Sequence, residues 1–137
     1  MVTREDTRIK VLTAKIGADD HYRGITAVTQ TLRDAGMEVV FLGSGQRIDS
    51  VVATAAQEDA EVIGLSFLCG GHLPLIRRFM SALQEQGLGR VHVVVGGTIP
   101  PQDIPKLKDM GVSGVFLPGA ELNEIARFVR KIARGSS

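Results

Sequence analysis

A chain of 137 residues with 44% apolar and 23% charged residues and a formal net charge of +1 has the composition of one ordinary globular domain. That balance excludes a disordered chain and carries no basic excess for a nucleic-acid surface. The single cysteine, Cys69, rules out an internal disulfide and fits a reducing cytoplasm, while the N-terminal run MVTREDTRIK lacks the apolar centre of a secretory signal.

In chain order, five β-like runs alternate with five helical patterns. Strands are predicted at Ile9–Lys15, Val39–Leu42, Val62–Ser66, Val91–Val95 and Gly114–Leu117. The helices between and after them, at Ile25–Ala35, Ile48–Glu58, Leu75–Gln86, Ile104–Met110 and Glu121–Ala133, space apolar residues three and four apart. Gly36, Gly87 and Gly111 follow three of them, where a left-handed C-terminal cap sits. The runs at Val62 and Val91 are nearly continuous Val, Ile and Leu, which suits strands covered on both faces. The longest apolar stretches, Val62–Cys69 and Val91–Ile99, are too short to span a bilayer. Strict βα alternation predicts a parallel α/β sheet with right-handed crossovers. A flavodoxin-like order of 2-1-3-4-5 with helices on both faces is expected. A single domain over residues 1–137 is expected, with no room for a domain ahead of the first strand and a loose tail at 135–137.

Function in such sheets sits at the carboxyl ends of the strands. Three loops there have unusual composition: Gly17-Ala18-Asp19-Asp20-His21-Tyr22-Arg23-Gly24 after the first strand, Ser66-Phe67-Leu68-Cys69-Gly70-Gly71-His72 after the third, and Gly96-Gly97-Thr98-Ile99-Pro100-Pro101 after the fourth. In the order 2-1-3-4-5 these strands are neighbours, so the loops line one groove. An imidazole such as His21 is a good transition-metal ligand, and a carboxylate on its other nitrogen fixes the tautomer; Asp19 stands two residues away, with Lys15 behind it. Glycine pairs remove side chains where backbone approaches a bulky ligand. Taken singly, each residue also has an ordinary structural job. His21 can be a surface-loop histidine, Asp19 a cap for the helix near Gly24, Lys15 a solvated strand end, Ser66 and Leu68 strand-end packing, and Gly96-Gly97 a tight turn. His72, His92 and Cys69 read as structural.

The pattern Asp19-x-His21-x-x-Gly24, then Ser66-x-Leu68, then Gly96-Gly97 resembles the three-part signature of cobalamin-binding domains. The resemblance runs from Ile9 to Ala133. It is closest to the domain of adenosylcobalamin-dependent acyl-CoA mutases such as methylmalonyl-CoA mutase, and the run GGTIPPQDIPKLKDMGVSGVFLPG strengthens that assignment. The resemblance implies that His21 replaces the cofactor's dimethylbenzimidazole as the lower cobalt ligand and that the displaced nucleotide tail inserts into the domain. Asp19 with Lys15 would tune the histidine, Ser66 would hydrogen-bond the buried base, Leu68 would pack beside the cofactor, Gly96 and Gly97 would make space for the tail, and Gly24 would belong to the cofactor site. Asp20, Tyr22 and Cys69-Gly70 depart from the form usual in the mutases and leave the ligand in place.

Other chemistries fit less well. A phosphoacceptor receiver needs an aspartate where Ser66 stands, the acidic Asp19-Asp20 opposes a flavin phosphate, and His21, His72 and Cys69 lack zinc-ligand spacing. The expected function is therefore the adenosylcobalamin-binding small subunit of a two-chain acyl-CoA mutase, an isomerase located in the cytoplasm. Its partner would be a large subunit, a barrel, that holds the acyl-CoA; neither nucleic acid nor membrane is expected as a partner. The alternative is a corrinoid carrier for methyl transfer or a cobalamin-binding regulatory module.

Overall fold

The computed structural model describes residues 8–16, 23–43, 45–67 and 72–135, with the side chains of Arg23 and His72 outside the description. The branched apolar runs become β1 (Lys10–Lys15), β2 (Glu38–Phe41), β3 (Val62–Phe67), β4 (His92–Gly97) and β5 (Gly114–Phe116). The amphipathic segments become α1 (Arg23–Asp34), α2 (Ile48–Glu58), α3 (His72–Glu85), α4 (Ile104–Asp109) and α5 (Leu122–Arg134). The described strands form one parallel sheet in the order β2-β1-β3-β4-β5. This is the expected flavodoxin-like order. Among the described residues no helix is long and apolar enough to cross a membrane.

Most predicted boundaries move by one or two residues, the usual range for element ends. Two changes matter. Helix α3 starts at His72 rather than Leu75, and β4 runs through Gly96 and Gly97 instead of stopping at Val95. The glycine pair is therefore strand, not the turn after it, with Ser66 paired to Gly96 and Phe67 to Gly97.

Side chains alternate across the sheet, so each strand serves two cores. Leu12, Ile63, Leu65, Val93 and Val95 face the rear, where Val51 and Val52 of α2, Phe79 and Leu83 of α3, and Leu107 of α4 cover them. Val11, Val62 and Val94 face the front, against Leu32 of α1 and Ile125 and Val129 of α5. Each such side chain stabilises the fold by about 1.5–3 kcal/mol when fully buried.

A buried polar contact lies inside the front layer. Thr13 of β1 and Thr29 of α1 are 0% and 2% exposed, and their hydroxyl oxygens stand 2.8 Å apart in a hydrogen bond. Deleting one partner strands a buried hydroxyl, whereas deleting both leaves a shape-matched apolar contact. Thr29→Val alone should therefore cost about 1–3 kcal/mol in denaturant unfolding, and the Thr13→Val/Thr29→Val double variant should recover most of that loss. A double variant as weak as the sum of the two singles would show that the hydroxyls act independently.

Candidate functional site

Register places the site. At the carboxyl edge, Lys15 of β1 pairs with Ser66 of β3, Ser66 with Gly96 of β4, and Gly96 with Phe116 of β5. One step below runs a second row of Thr13, Gly64, Val94 and Gly114. Partners in a parallel sheet point the same way, so both rows face the front, towards α1 and α5. Of their four middle positions, Gly64, Ser66 and Gly96 carry little or no side chain, and the fourth is Val94. The result is a slot of about 460 Å³, with Ile25 and Val28 of α1 on one wall and Ile125 of α5 with the Leu117–Ala120 turn on the other.

Of the sequence-predicted site residues, the slot brings together Lys15, Gly24, Ser66, Gly96 and Gly97. Asp19, His21 and Leu68 lie outside the described residues, as do Asp20, Tyr22, Cys69 and Gly70. Lys15 is only 1% exposed and is thus no solvated strand end. A lysine this far from water needs a polar or anionic partner. His92 sits at the opposite, amino end of β4, with Nδ1 3.1 Å from the Ser113 hydroxyl. That is the structural place expected of it.

The glycines separate by cause. A Cβ on Gly97, whose φ is +131°, would fall on the carbonyl oxygen of Phe67 and lie 2.7 Å from the carbonyl carbon. The fold itself demands glycine there. Gly114 is similar, because a Cβ would come within 2.5 Å of the Phe128 ring. Gly64 and Gly96 differ: added Cβ atoms would meet Thr13 Cγ2 and the Phe116 carbonyl oxygen at 3.5 Å, an ordinary contact. Protein packing leaves room for a Cβ at both positions, yet neither has one. Their absence keeps the slot open.

Sequence reading missed Phe116, Gly64, Val28 and Ile125 as parts of this slot. A mid-strand glycine at position 64 was the available signal, since glycine inside a strand often marks close approach of a ligand or backbone.

The B12 binding domain family matches residues 9–127. The chain belongs to that family. Within it, the chain is 45% identical over 128 residues to the pivalyl-CoA mutase small subunit of Xanthobacter autotrophicus, covering 93% of this chain and 86% of that protein. It is 38% identical over 134 residues to the 2-hydroxyisobutanoyl-CoA mutase small subunit of Aquincola tertiaricarbonis, covering 96% and 98% of the two chains. These matches assign this B12-binding chain to the small subunits of acyl-CoA mutases, which are isomerases. Among solved structures, a cobalamin-binding protein from Desulfitobacterium hafniense superposes with a TM-score of 0.79 at 21% identity over 91% of this chain. The B12-binding chain spans 59% of that longer protein, and the likeness speaks for the fold.

The slot suits the cofactor class on its own terms. It is lined mainly by apolar groups, Ser66 is among its lining residues, and Gly64 and Gly96 stand on its floor where the fold does not require glycine. Such a lining suits a largely apolar group with a polar edge.

The two glycines of β4 should respond differently to the same methyl group. Gly97→Ala should lose at least about 3 kcal/mol, since it combines overpacking against backbone with an unfavourable φ. Gly96→Ala should melt near the wild-type temperature. Equal losses in thermal unfolding would remove the distinction between a glycine kept for the fold and one kept for the slot.

Proposed function

We propose that this B12-binding small subunit holds adenosylcobalamin for the radical rearrangement of an acyl-CoA, with His21 as the lower cobalt ligand. The observation that supports this most directly is the front slot, floored by Gly64 and Gly96, which protein packing does not require to be glycines. In this reading residues 1–137 act as one cobalamin-binding domain in the cytoplasm. The nucleotide tail enters the slot, Ser66 donates a hydrogen bond to its base, and Gly24, Gly96 and Gly97 border it. Leu68 packs beside the corrin.

Asp19 accepts a hydrogen bond from the free ring nitrogen of His21, which fixes the tautomer and raises the basicity of the other nitrogen. The burial of Lys15 supports this relay, because an ammonium at 1% exposure needs compensation and Asp19 stands four residues beyond it. The bound cofactor supplies the one-electron chemistry that moves a group between adjacent carbons. The chain's own residues position it, exclude water from its tail and set the electron donation of the imidazole.

The substrate belongs to a second chain in this proposal. The two relatives carry the words small subunit and differ in the acyl-CoA they are named for. The slot of about 460 Å³ is accounted for by the cofactor tail, which leaves the acyl thioester to a large, barrel-shaped partner.

Ligation is tested by electron paramagnetic resonance of bound cob(II)alamin in protein carrying nitrogen-15 histidine. Splitting from a protein nitrogen is expected and should vanish in His21→Ala but persist in His92→Ala. Splitting from the cofactor's own benzimidazole would overturn the ligand assignment. The division of labour has a separate check, since the purified chain should bind cobalamin and rearrange no acyl-CoA until a large mutase subunit is added. Turnover by the chain alone would place the substrate site here.

A further inference from the structure

The slot is chemically lopsided. Its polar side chains are Lys15 and Ser66, on the β1 and β3 side, and Thr98 beyond the end of β4. Across from them the lining is hydrocarbon, formed by Val94, Phe116 and Ile125, while the α1 wall on the β1 side adds Ile25 and Val28. The floor offers little further hydrogen bonding, because β3 is paired on one edge with β1 and on the other with β4.

The apolar side is also held in place. Phe128 of α5 meets Phe116 edge-on, with ring centroids 5.4 Å apart and planes at 79°, a favourable geometry for two aromatic rings. Phe128 in turn occupies the space over Gly114, where a Cβ would come within 2.5 Å of its ring. Gly114 seats Phe128, and Phe128 braces Phe116. The half-buried ring at the slot wall is therefore backed by α5.

We infer that this slot selects among corrinoids by the base on their nucleotide tail, favouring a benzimidazole over a purine, with Phe116 as the specificity-determining residue and Phe128 as its positioning partner. The inference rests on the proposal that the tail occupies the slot. A dimethylbenzimidazole has one polar edge, which meets Ser66, and a hydrocarbon edge, which meets Val94, Phe116 and Ile125. Adenine has the same outline but carries ring nitrogens and an exocyclic amine on the edge that would face those side chains. Burying such groups without partners lowers affinity by roughly ten- to hundredfold.

Titration of the full chain with three probes tests this: cobalamin, its analogue with adenine as the tail base, and cobinamide, which lacks the nucleotide tail. Cobalamin should bind at least about tenfold more tightly than the adenine analogue, and cobinamide should bind weakly. Equal affinity for the two complete corrinoids, both well above cobinamide, would overturn the selectivity while leaving the tail in the slot. Equal affinity for all three would overturn the tail placement and the inference with it. Phe116→Ala should admit water to the apolar side, so the ratio between the two complete corrinoids falls towards one while cobinamide binding holds. Phe128→Leu, which keeps the volume largely filled, should lower the same ratio less. A ratio unchanged in both variants would remove Phe116 from the role.

Discussion

Everything in this molecule depends on the register in which β3 lies between β1 and β4. That single alignment sets Ser66 beside Lys15 and Gly96 and brings three strand ends level at one edge. A slip of one residue in β3 would turn Gly64 and Ser66 to the rear and drive Leu65 and Phe67 into the slot. The rear core opposes such a slip, because Leu65 and Phe67 are 1% and 4% exposed and pack among Phe79, Leu83 and Val95. Packing on one face of the sheet thus fixes the position of small residues on the other.

The last residues of β3 and β4 add a second lock. Gly97 lies so close to the Phe67 carbonyl that no side chain fits between them, which lets β4 pair with β3 to the very end of both strands. Had β4 ended at Val95, Gly96 would leave the row that carries Lys15, Ser66 and Phe116. One glycine makes the strand long enough, and its neighbour keeps the floor bare. Two adjacent and identical residues therefore act through different physics, the first by leaving the slot open and the second through backbone approach.

Much of this was legible in the sequence, and the boundary between legible and hidden is physical. Helix α2 falls at Ile48–Glu58 as the three-four spacing predicts, and the parallel sheet follows from strict βα alternation. Gly36, Gly87 and Gly111 take positive φ after their helices, as caps should, but Asp59 does the same after α2 with φ 55°, a job that composition assigns to glycine. Lys15, Ser66 and Gly96 were found because they lie at strand ends. Phe116 and Gly64 were not, because their place in the slot depends on cross-strand register. Phe128 depends further on how α5 docks over Gly114. Those relations join residues far apart in the chain, and local periodicity does not encode them. A glycine pair likewise reads as a turn until the carbonyl of Phe67 is seen against it.

The division into two faces also explains how the protein keeps an open slot at all. The rear core, with Leu12, Ile63, Val93, Phe79 and Leu107 among its fully buried side chains, carries the larger share of apolar burial. The front core is smaller and is concentrated at the amino half of the sheet, where Val11, Val62 and Val94 meet Leu32 and Val129. Leaving the carboxyl half of the front face unfilled forfeits the burial that two or three larger side chains would supply there, roughly 1.5–3 kcal/mol each. The Thr13–Thr29 contact and the Phe116–Phe128 pair border this unfilled region on opposite sides and tie α1 to β1 and α5 to β5. A ligand that fills the slot would restore the missing apolar contact and stabilise the folded state in proportion to the logarithm of its concentration over its dissociation constant. The cost of the cavity is thus carried by the rear face when the slot is empty and offset by the ligand when it is full.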